Sequence, residues 1–517
     1  MATKATGLPS VWRIAMLSRI AMLLLMLTFD ALVQDYDTSG RLSPGDGVSA
    51  KTPVDAGHPK SPSSPLCAAV EGLVTWDAVY FLRISEVGYE HEQTHAFFPL
   101  LPAVTRGVAS ASSALAGAVT GGSEKAVGKE TSESKSLSRC ALAASALAVS
   151  NGAHVAAAVV LQKLGAMVLA NDDIDGMVAR SAAVLFALNP ASVFHSAPYT
   201  ESLFALLSFA GFYFSERGSS VLERATSTRN RNGAALCLAL ACAARSNGAL
   251  NGLVLAHDFF ARVAPAARAG ARRRRKTKRL AHTLNPLLAA TVAFAARCVV
   301  TLAPLFAVQL HGYQTYCARA PREKGDVSDP PAWCSRWRPF PNVYAHVQSH
   351  YWNVGFLRYY RLKQIPNFLL AAPALAVSAD AGLCWWNARA RTKTRKRGGK
   401  GSDDEAEADG AADGKRGTLR EGSEHAWMLS PRVRPYLFMW AVMSVVALLA
   451  MHVQVTTRFL SVTPGVYWFL AKRGFAEAER EARETKPSSV WRRAATLYSI
   501  SFFLLGALLF PTFYPWT

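Results

Sequence analysis

The chain has 517 residues, half of them apolar and only 18% charged, with 57 Lys and Arg against 36 Asp and Glu for a net charge of +21. Soluble chains of average composition carry about 25% charged residues, and here the charge falls in blocks between long apolar stretches, which argues for a membrane protein. Nucleic-acid binding is set aside because the basic runs Arg272–Arg279 and Arg389–Lys400 lie between apolar segments, and the acidic stretch Asp403–Asp409 follows the second, so no single basic face forms.

Taken in chain order, Lys4, Arg13 and Arg19 precede an apolar run, Ile20–Leu27, that weaker residues extend to Val33. With no small-x-small cleavage site after it, this reads as a signal anchor (1–33) with its N-terminus in the cytosol. The Ser-, Pro- and Gly-rich stretch Gln34–Pro65 then opens a first luminal loop, 34–96. Apolar segments follow at Phe97–Val119, Cys140–Ala170, Ser181–Phe214, Gly233–Val263, Pro286–Leu310, Ile365–Leu383, Pro435–Val455 and Leu497–Phe513, with a shorter piece at Val462–Leu470. A spanning helix needs about 20 residues. The reading is an all-α polytopic helical bundle of about 8–11 crossings: a membrane core over 97–385 that includes a luminal loop 311–364 with short helices, a charged, disordered cytoplasmic loop 386–434, and C-terminal helices over 435–517. Gly121–Ser138 is a smaller polar linker. There is no internal repeat, Walker A motif or dinucleotide fingerprint.

Two details sharpen this. The basic flanks Glu216–Asn232 and Arg262–Arg279 both look cytoplasmic, yet about 30 residues join them where two full crossings need roughly 40. Gly233–Val263 is therefore expected to be a hairpin broken at Arg245-Ser246-Asn247-Gly248, or one flank is luminal despite its charge. Of the eight cysteines, Cys237, Cys242 and Cys298 lie in apolar segments as small core residues. Cys317 and Cys334 share a polar luminal loop, where either a disulfide or free thiols fit.

Three clusters can carry chemistry. Trp76–Pro102 (WDAVYFLRISEVGYEHEQTHAFFPLLP) gathers Asp77, Glu86, Glu90 and Glu92 before a spanning segment. Asp77 stands at a helix start, as a simple N-cap or as a reactive carboxylate near the positive helix end. Asn189–Glu201 (NPASVFHSAPYTE) sets His195, Tyr199 and Glu201 beside breaks at Pro190 and Pro198. An acid at membrane depth is costly and reads as functional unless the helix dipole accommodates it. His452–Phe469 (HVQVTTRFLSVTPGVYWF) supplies His452, Gln454 and Arg458; Arg458 suits a phosphate or snorkelling to the interface. The triplet Asp35-Tyr36-Asp37 resembles a metal-binding DxD, on weak grounds.

These clusters, with ARSNG (244–248) and HYWNVGFLRYYRLKQIPNFLLAAP (350–373), occur in order from about Trp76 to Phe469 and closely resemble the GPI mannosyltransferase 2 family. The resemblance implies a GT-C glycosyltransferase of the endoplasmic reticulum membrane with a lumen-facing site. Its donor would be dolichyl-phosphate mannose, and its acceptor a GPI precursor lipid already bearing one mannose, which gains a second in α1,6 linkage. It leaves room for an accessory membrane subunit of the endoplasmic reticulum, and implies neither a cofactor nor a metal. Turning a β-linked mannosyl phosphate into an α-mannoside requires inversion, hence a carboxylate base and cations for the leaving phosphate. Because GT-C enzymes carry the catalytic acid in the first luminal loop, Asp77 is the expected base, with Glu201 as second candidate. Arg458 and His452, then Arg245, are expected at the leaving group, and Trp76, His195, Tyr199 and Gln454 around the substrate. The rival readings are another dolichyl-phosphate-sugar transferase acting on N-glycan precursors or proteins, a transporter or scramblase, and a non-catalytic assembly subunit.

Overall fold

The computed structural model describes residues 10–36, 64–119, 138–173, 175–220, 224–269, 286–318, 331, 333–336, 342–398, 425–484 and 490–516. Most of the expected loops Gln34–Pro65 and Gly121–Ser138, the run Arg272–Arg279, Asp37 of the DxD triplet and residues 399–424 lie outside them. Within them the chain is helical: α1 (Val11–Leu32), α2 (Pro65–Gly72), α3 (Asp77–Val87), α4 (Leu100–Val119), α5 (Arg139–Val168), α6 (Met177–Ala187), α7 (Ser192–Ser196), α8 (Glu201–Ser220), α9 (Arg224–Ala244), α10 (Gly252–Asp258), α11 (Pro286–Tyr313), α12 (Trp333–Arg336), α13 (Val343–Tyr351), α14 (Ile365–Gly398), α15 (Arg434–Ala450), α16 (Thr456–Leu460), α17 (Pro464–Glu484) and α18 (Val490–Leu509). Four stretches (Val11–Leu32, Arg139–Val168, Pro286–Ala318 and Leu362–Thr392) are long and apolar enough to cross a membrane. Counting α2 and α3 as one bent span would make five, against the 8–11 crossings expected; among the described residues the other helices are shorter or less apolar.

Local chemistry fixes many helix ends. Ser64 Oγ accepts the Cys67 N–H at 3.2 Å, and Pro65 pre-sets the first turn of α2. Ser138 caps α5 through the Ala141 N–H at 3.2 Å. The Asp173 carboxylate receives the N–H groups of Val178 and Ala179 (3.0 and 2.8 Å), where a helix N-terminus favours negative charge. The Ala-rich faces of α5 and α6 bury Ala157, Ala158, Ala182, Ala183 and Ala187 against Phe186, Phe209 and Trp468, close packing of the kind that holds helices together in lipid.

The structure departs from the sequence reading at several points. Ser181–Phe214 is not one segment but α6, the single turn α7 and α8, because Pro190 and Pro198 end the helical ladder. Arg19 is no flanking charge: it lies inside α1, fully buried, and donates to Ser192 O (2.8 Å), Ser196 Oγ (2.9 Å) and Ala187 O (3.3 Å). Those acceptors are the carbonyls and hydroxyls left free between α6 and α8, so the break and the buried cation satisfy each other. The short apolar piece Val462–Leu470 opens the 21-residue α17. Helix α14 runs past Leu383 to Gly398, into the stretch expected to be disordered, since its Ala and Arg are good helix formers.

The expected hairpin is present. Helix α9 ends at Ala244, Arg245 is extended (φ −154°, ψ 143°), a short 3₁₀ turn covers Ser246–Asn251, and the chain returns as helix over 252–269. Gly248 makes the apex: a Cβ there would stand 2.5 Å from Cys242 Cα. Both basic flanks meet at one end of the bundle, where Arg262 pairs with Glu216 at 3.2 Å and Arg231 with Asp258 at 3.0 Å. Arg432 (to Met167 O, 3.3 Å) and Lys472 (to Asp172 O, 2.5 Å) mark the same end. The opposite end carries two disulfides, Cys67–Cys140 and Cys317–Cys334.

Candidate active site

Between α11 on one side and α15 and α16 on the other, above α3 and the hairpin apex, lies a cavity of about 1950 Å³. Its apolar wall includes Leu302, Phe306, Val446 and Phe459; its polar groups include Asp77, Arg245, Asn247, Tyr344, Gln348, His452 and Arg458.

Asp77 reaches this cavity because of how α3 begins. Trp76 has a positive φ of 54°, so the chain turns sharply between α2 and α3, and Asp77 becomes the first helical residue. The N-cap position falls on Trp76, which makes no side-chain capping bond, and the Asp77 N–H is taken by Tyr199 Oη at 2.9 Å. The expected helical stripe through Trp76, Tyr80, Ile84 and Val87 is only partly the packed one: Ile84 is buried with Ala78, Val79, Phe81, Leu82 and Ser85, while Trp76 and Val87 are exposed. The Asp77 carboxylate, 37% exposed, accepts from Arg458 Nη1 at 3.1 Å.

Glu201 begins α8 after the Pro198 break and is 0% exposed. Its Oε1 receives both Arg245 Nη1 and Arg458 Nε. Arg245 also donates to Thr200 Oγ1 at 3.1 Å, and Arg458 lies over the rings of Tyr199 (4.8 Å) and Phe194 (5.0 Å), which favours a cation. The four groups therefore form one alternating chain, Asp77–Arg458–Glu201–Arg245, with formal charges that cancel. Three of its members line the cavity; Glu201 lies behind them.

The expected site residues divide accordingly. Asp77, Arg245, His452 and Arg458 line the cavity. His452 donates Nε2–H to Trp352 O at 2.8 Å and stacks on Tyr359. Both arginines meet Glu201 at Oε1, Oε2 is buried without a hydrogen-bond partner, and the side chain is absent from the cavity wall. His195 is fully buried between Ser202 Oγ (3.2 Å) and Ser461 Oγ (3.1 Å), with no surface through which to meet a substrate. Tyr199 and Gln454 lie off the cavity wall, and Trp76 turns away to donate to Phe510 O at 3.2 Å. Sequence reasoning missed Ser246, Tyr344 and Gln348: Ser246 Oγ bonds Tyr344 Oη at 2.7 Å, joining the hairpin apex to α13 across the cavity. Only the ARSNG motif pointed toward that edge.

The loop between α3 and α4 closes the rim. Glu92 accepts from Trp333 Nε1 and from Tyr351 Oη (3.1 Å), and His95 Nε2 meets His311 Nδ1 at 3.0 Å. Burial, and then the neighbouring His311, push His95 down to about 4.

The family described as Mannosyltransferase (PIG-V) matches residues 8–517. A GPI alpha-1,6-mannosyltransferase 2 of Cricetulus griseus is 30% identical over 98% of this chain and 98% of its own length. A GPI mannosyltransferase 2 of Chaetomium globosum is 32% identical over 85% of this chain and 83% of its own, and the Homo sapiens GPI alpha-1,6-mannosyltransferase 2 is 29% identical over 98% of both. Among solved structures, an Archaeoglobus fulgidus oligosaccharyltransferase aligns with a TM-score of 0.41 at 12% identity, over 96% of this chain and 53% of that one. With the family match running nearly end to end, the chain belongs to the PIG-V mannosyltransferase family.

Proposed function

We propose that this protein transfers the second mannose of a GPI anchor, in α1,6 linkage and with inversion, from dolichyl-phosphate mannose to a mono-mannosylated GPI precursor. The observation that carries the reading is a reachable carboxylate, Asp77, held by a cation, Arg458, on the wall of a large cavity that is otherwise mostly apolar. The apolar wall suits a polyprenyl donor, and the polar groups suit sugars and phosphate.

In this reading the acceptor hydroxyl gives its proton to the Asp77 carboxylate as its oxygen bonds to the mannose C1. The C1–O bond to phosphate breaks on the opposite face, and its electron pair leaves with the lipid phosphate. Arg458, Arg245 and His452 line the same cavity, and to them we assign the stabilisation of that negative charge. Glu201 does no proton transfer; it fixes the two guanidinium groups, whose positions are then set before substrate arrives.

The site is read as facing the endoplasmic reticulum lumen. Both disulfides lie at the cavity end, as an oxidising compartment allows. Cys237, Cys242, Cys298 and Cys384 form no disulfide and belong to α9, α11 and α14. The cations Arg231, Arg262, Arg432 and Lys472 gather at the other end, as cytoplasmic loops do. An accessory membrane subunit is compatible with the exposed apolar side chains of α4 (Leu115, Val119) and α18 (Leu497, Ile500, Leu504).

Complementation tests the function. In cells lacking the second GPI mannose, this chain should restore surface GPI-anchored protein, and the accumulated one-mannose precursor should disappear from lipid extracts. Persistence of that precursor with the protein well expressed would overturn the reading.

A further inference from the structure

Asp77 is held from an unexpected quarter. The residue before it, Trp76, sits in the left-handed region (φ 54°), where a bulky side chain stays only if its surroundings hold it. What holds it is the turn that follows α18. The Trp76 indole donates to Phe510 O at 3.2 Å and lies against the Phe513 ring, centroids 5.9 Å apart. Phe513 is itself left-handed, at φ 58°.

That turn is anchored on several sides. Phe510 is fully buried, with its ring 5.4 Å from those of both Phe194 and Tyr199. Thr512 O accepts the Tyr36 N–H at 2.9 Å, and Tyr36 packs on Tyr514 at 5.0 Å, so the residues after α1 close over it. The Trp516 indole sits on Gly506, where an added Cβ would come within 3.1 Å of it. Two supports of Asp77 thus converge on one residue. Phe510 takes the indole of the residue before Asp77, and it packs the ring of Tyr199, whose hydroxyl takes the Asp77 N–H.

We infer that the turn over 510–516 is the positioning element of the base: through Trp76 and Tyr199 it sets the start of α3 and so the direction of the Asp77 carboxylate. This rests on the reading of Asp77 as the base. Neither Trp76 nor Phe513 lines the cavity, so their effect is on orientation and not on substrate contact. Released from Phe513, Trp76 relaxes toward negative φ, the Trp76–Asp77 peptide rotates, and the carboxylate leaves Arg458.

The test uses the full chain in lipid nanodiscs, with dolichyl-phosphate mannose and a mono-mannosylated GPI precursor. Phe513→Gly adopts the same φ without strain but lacks the ring. It is expected to lower kcat on the order of tenfold to a hundredfold, the scale of a small misplacement at a reacting group, with KM for both substrates unchanged. Phe513→Tyr, which keeps the ring, is expected to restore kcat. Trp76→Phe, which keeps an aromatic ring toward Phe513 but loses the bond to Phe510 O, is expected to lower kcat by about threefold, and it carries the test if Phe513→Gly fails to accumulate. Unchanged kcat in the folded Phe513→Gly variant, or a rise in KM alone, overturns the inference. Full activity of Asp77→Asn in the same assay would instead overturn the assignment of the base, so the two failures are told apart.

Discussion

The two ends of the bundle each hold a buried network of acids and arginines, and only one of them opens. At the basic end Glu216 accepts from Arg262 and from Tyr436 Oη (3.1 Å), while Asp258 takes Arg231 and Ser219 Oγ (2.6 Å); the recess beside them is about 220 Å³. At the cavity end Glu201 takes two arginines, and one of these passes on to Asp77, which faces about 1950 Å³ of open volume. Buried ion pairs contribute little net stability over apolar packing, though breaking one is costly. Chemistry therefore depends on which carboxylate keeps a free face. At the basic end both acids are consumed in tying the hairpin to α8. At the cavity end the deep acid is consumed in fixing cations, which leaves the shallow one reachable.

The comparison breaks most visibly at Arg458. Arg458→Ala removes the partner of both Asp77 and Glu201, and transfer should fall on the order of 10³-fold at matched protein level, measured as initial rate in microsomes. Glu201→Gln leaves two guanidinium groups short of their shared anion. It should lower kcat about 10²-fold and also lower the melting temperature, seen by intrinsic fluorescence. Glu216→Gln sharpens the contrast: it should cost stability by about 3 kcal/mol while kcat of the folded protein stays at the wild-type value. A drop in kcat there would mean that the two networks are coupled.

The smallest effect concerns the rim. His95 titrates at about 4 in the folded protein, below its ordinary 6.5, so the unfolded chain takes up the proton first. The stability contributed by neutral His95 is present above pH 6.5 and is lost as the pH falls toward 4. Replacing His95 by Phe should flatten the melting temperature across that window, and an unaltered slope would assign it to other groups.

Much of this was legible in the sequence. Most of the apolar runs are helical, the break at Arg245–Gly248 explains how both basic flanks of 233–263 reach one end, and the motifs that hold Asp77, Glu201, Arg245 and Arg458 are visible in the sequence, though not their union in one chain. What could not be read was depth and facing. Asp77 and Glu201 are both acids at helix starts, and only the packing of Arg458 between them, with Arg245 on the far side of Glu201, makes one a wall residue and the other a foundation. His195, Trp76, Tyr199 and Gln454 belong to the right clusters, yet periodicity does not say that their side chains turn away from the cavity. The Cys67–Cys140 bridge joins residues 73 apart, on α2 and at the start of α5 with α3 and α4 between them, and no spacing signal announces it. Arg19 read as a flanking charge because its acceptors, at Ala187, Ser192 and Ser196, come from another part of the chain.

The claim on which the account stands is that the reachable carboxylate takes the proton. The most direct measurement is the transfer rate of purified Asp77→Asn from dolichyl-phosphate mannose to the mono-mannosylated precursor, at a protein level and melting temperature equal to wild type. The account predicts a loss of at least about 10²-fold with donor binding retained, the lower bound for removing a general base. Transfer at the wild-type rate by the folded Asp77→Asn protein would contradict it.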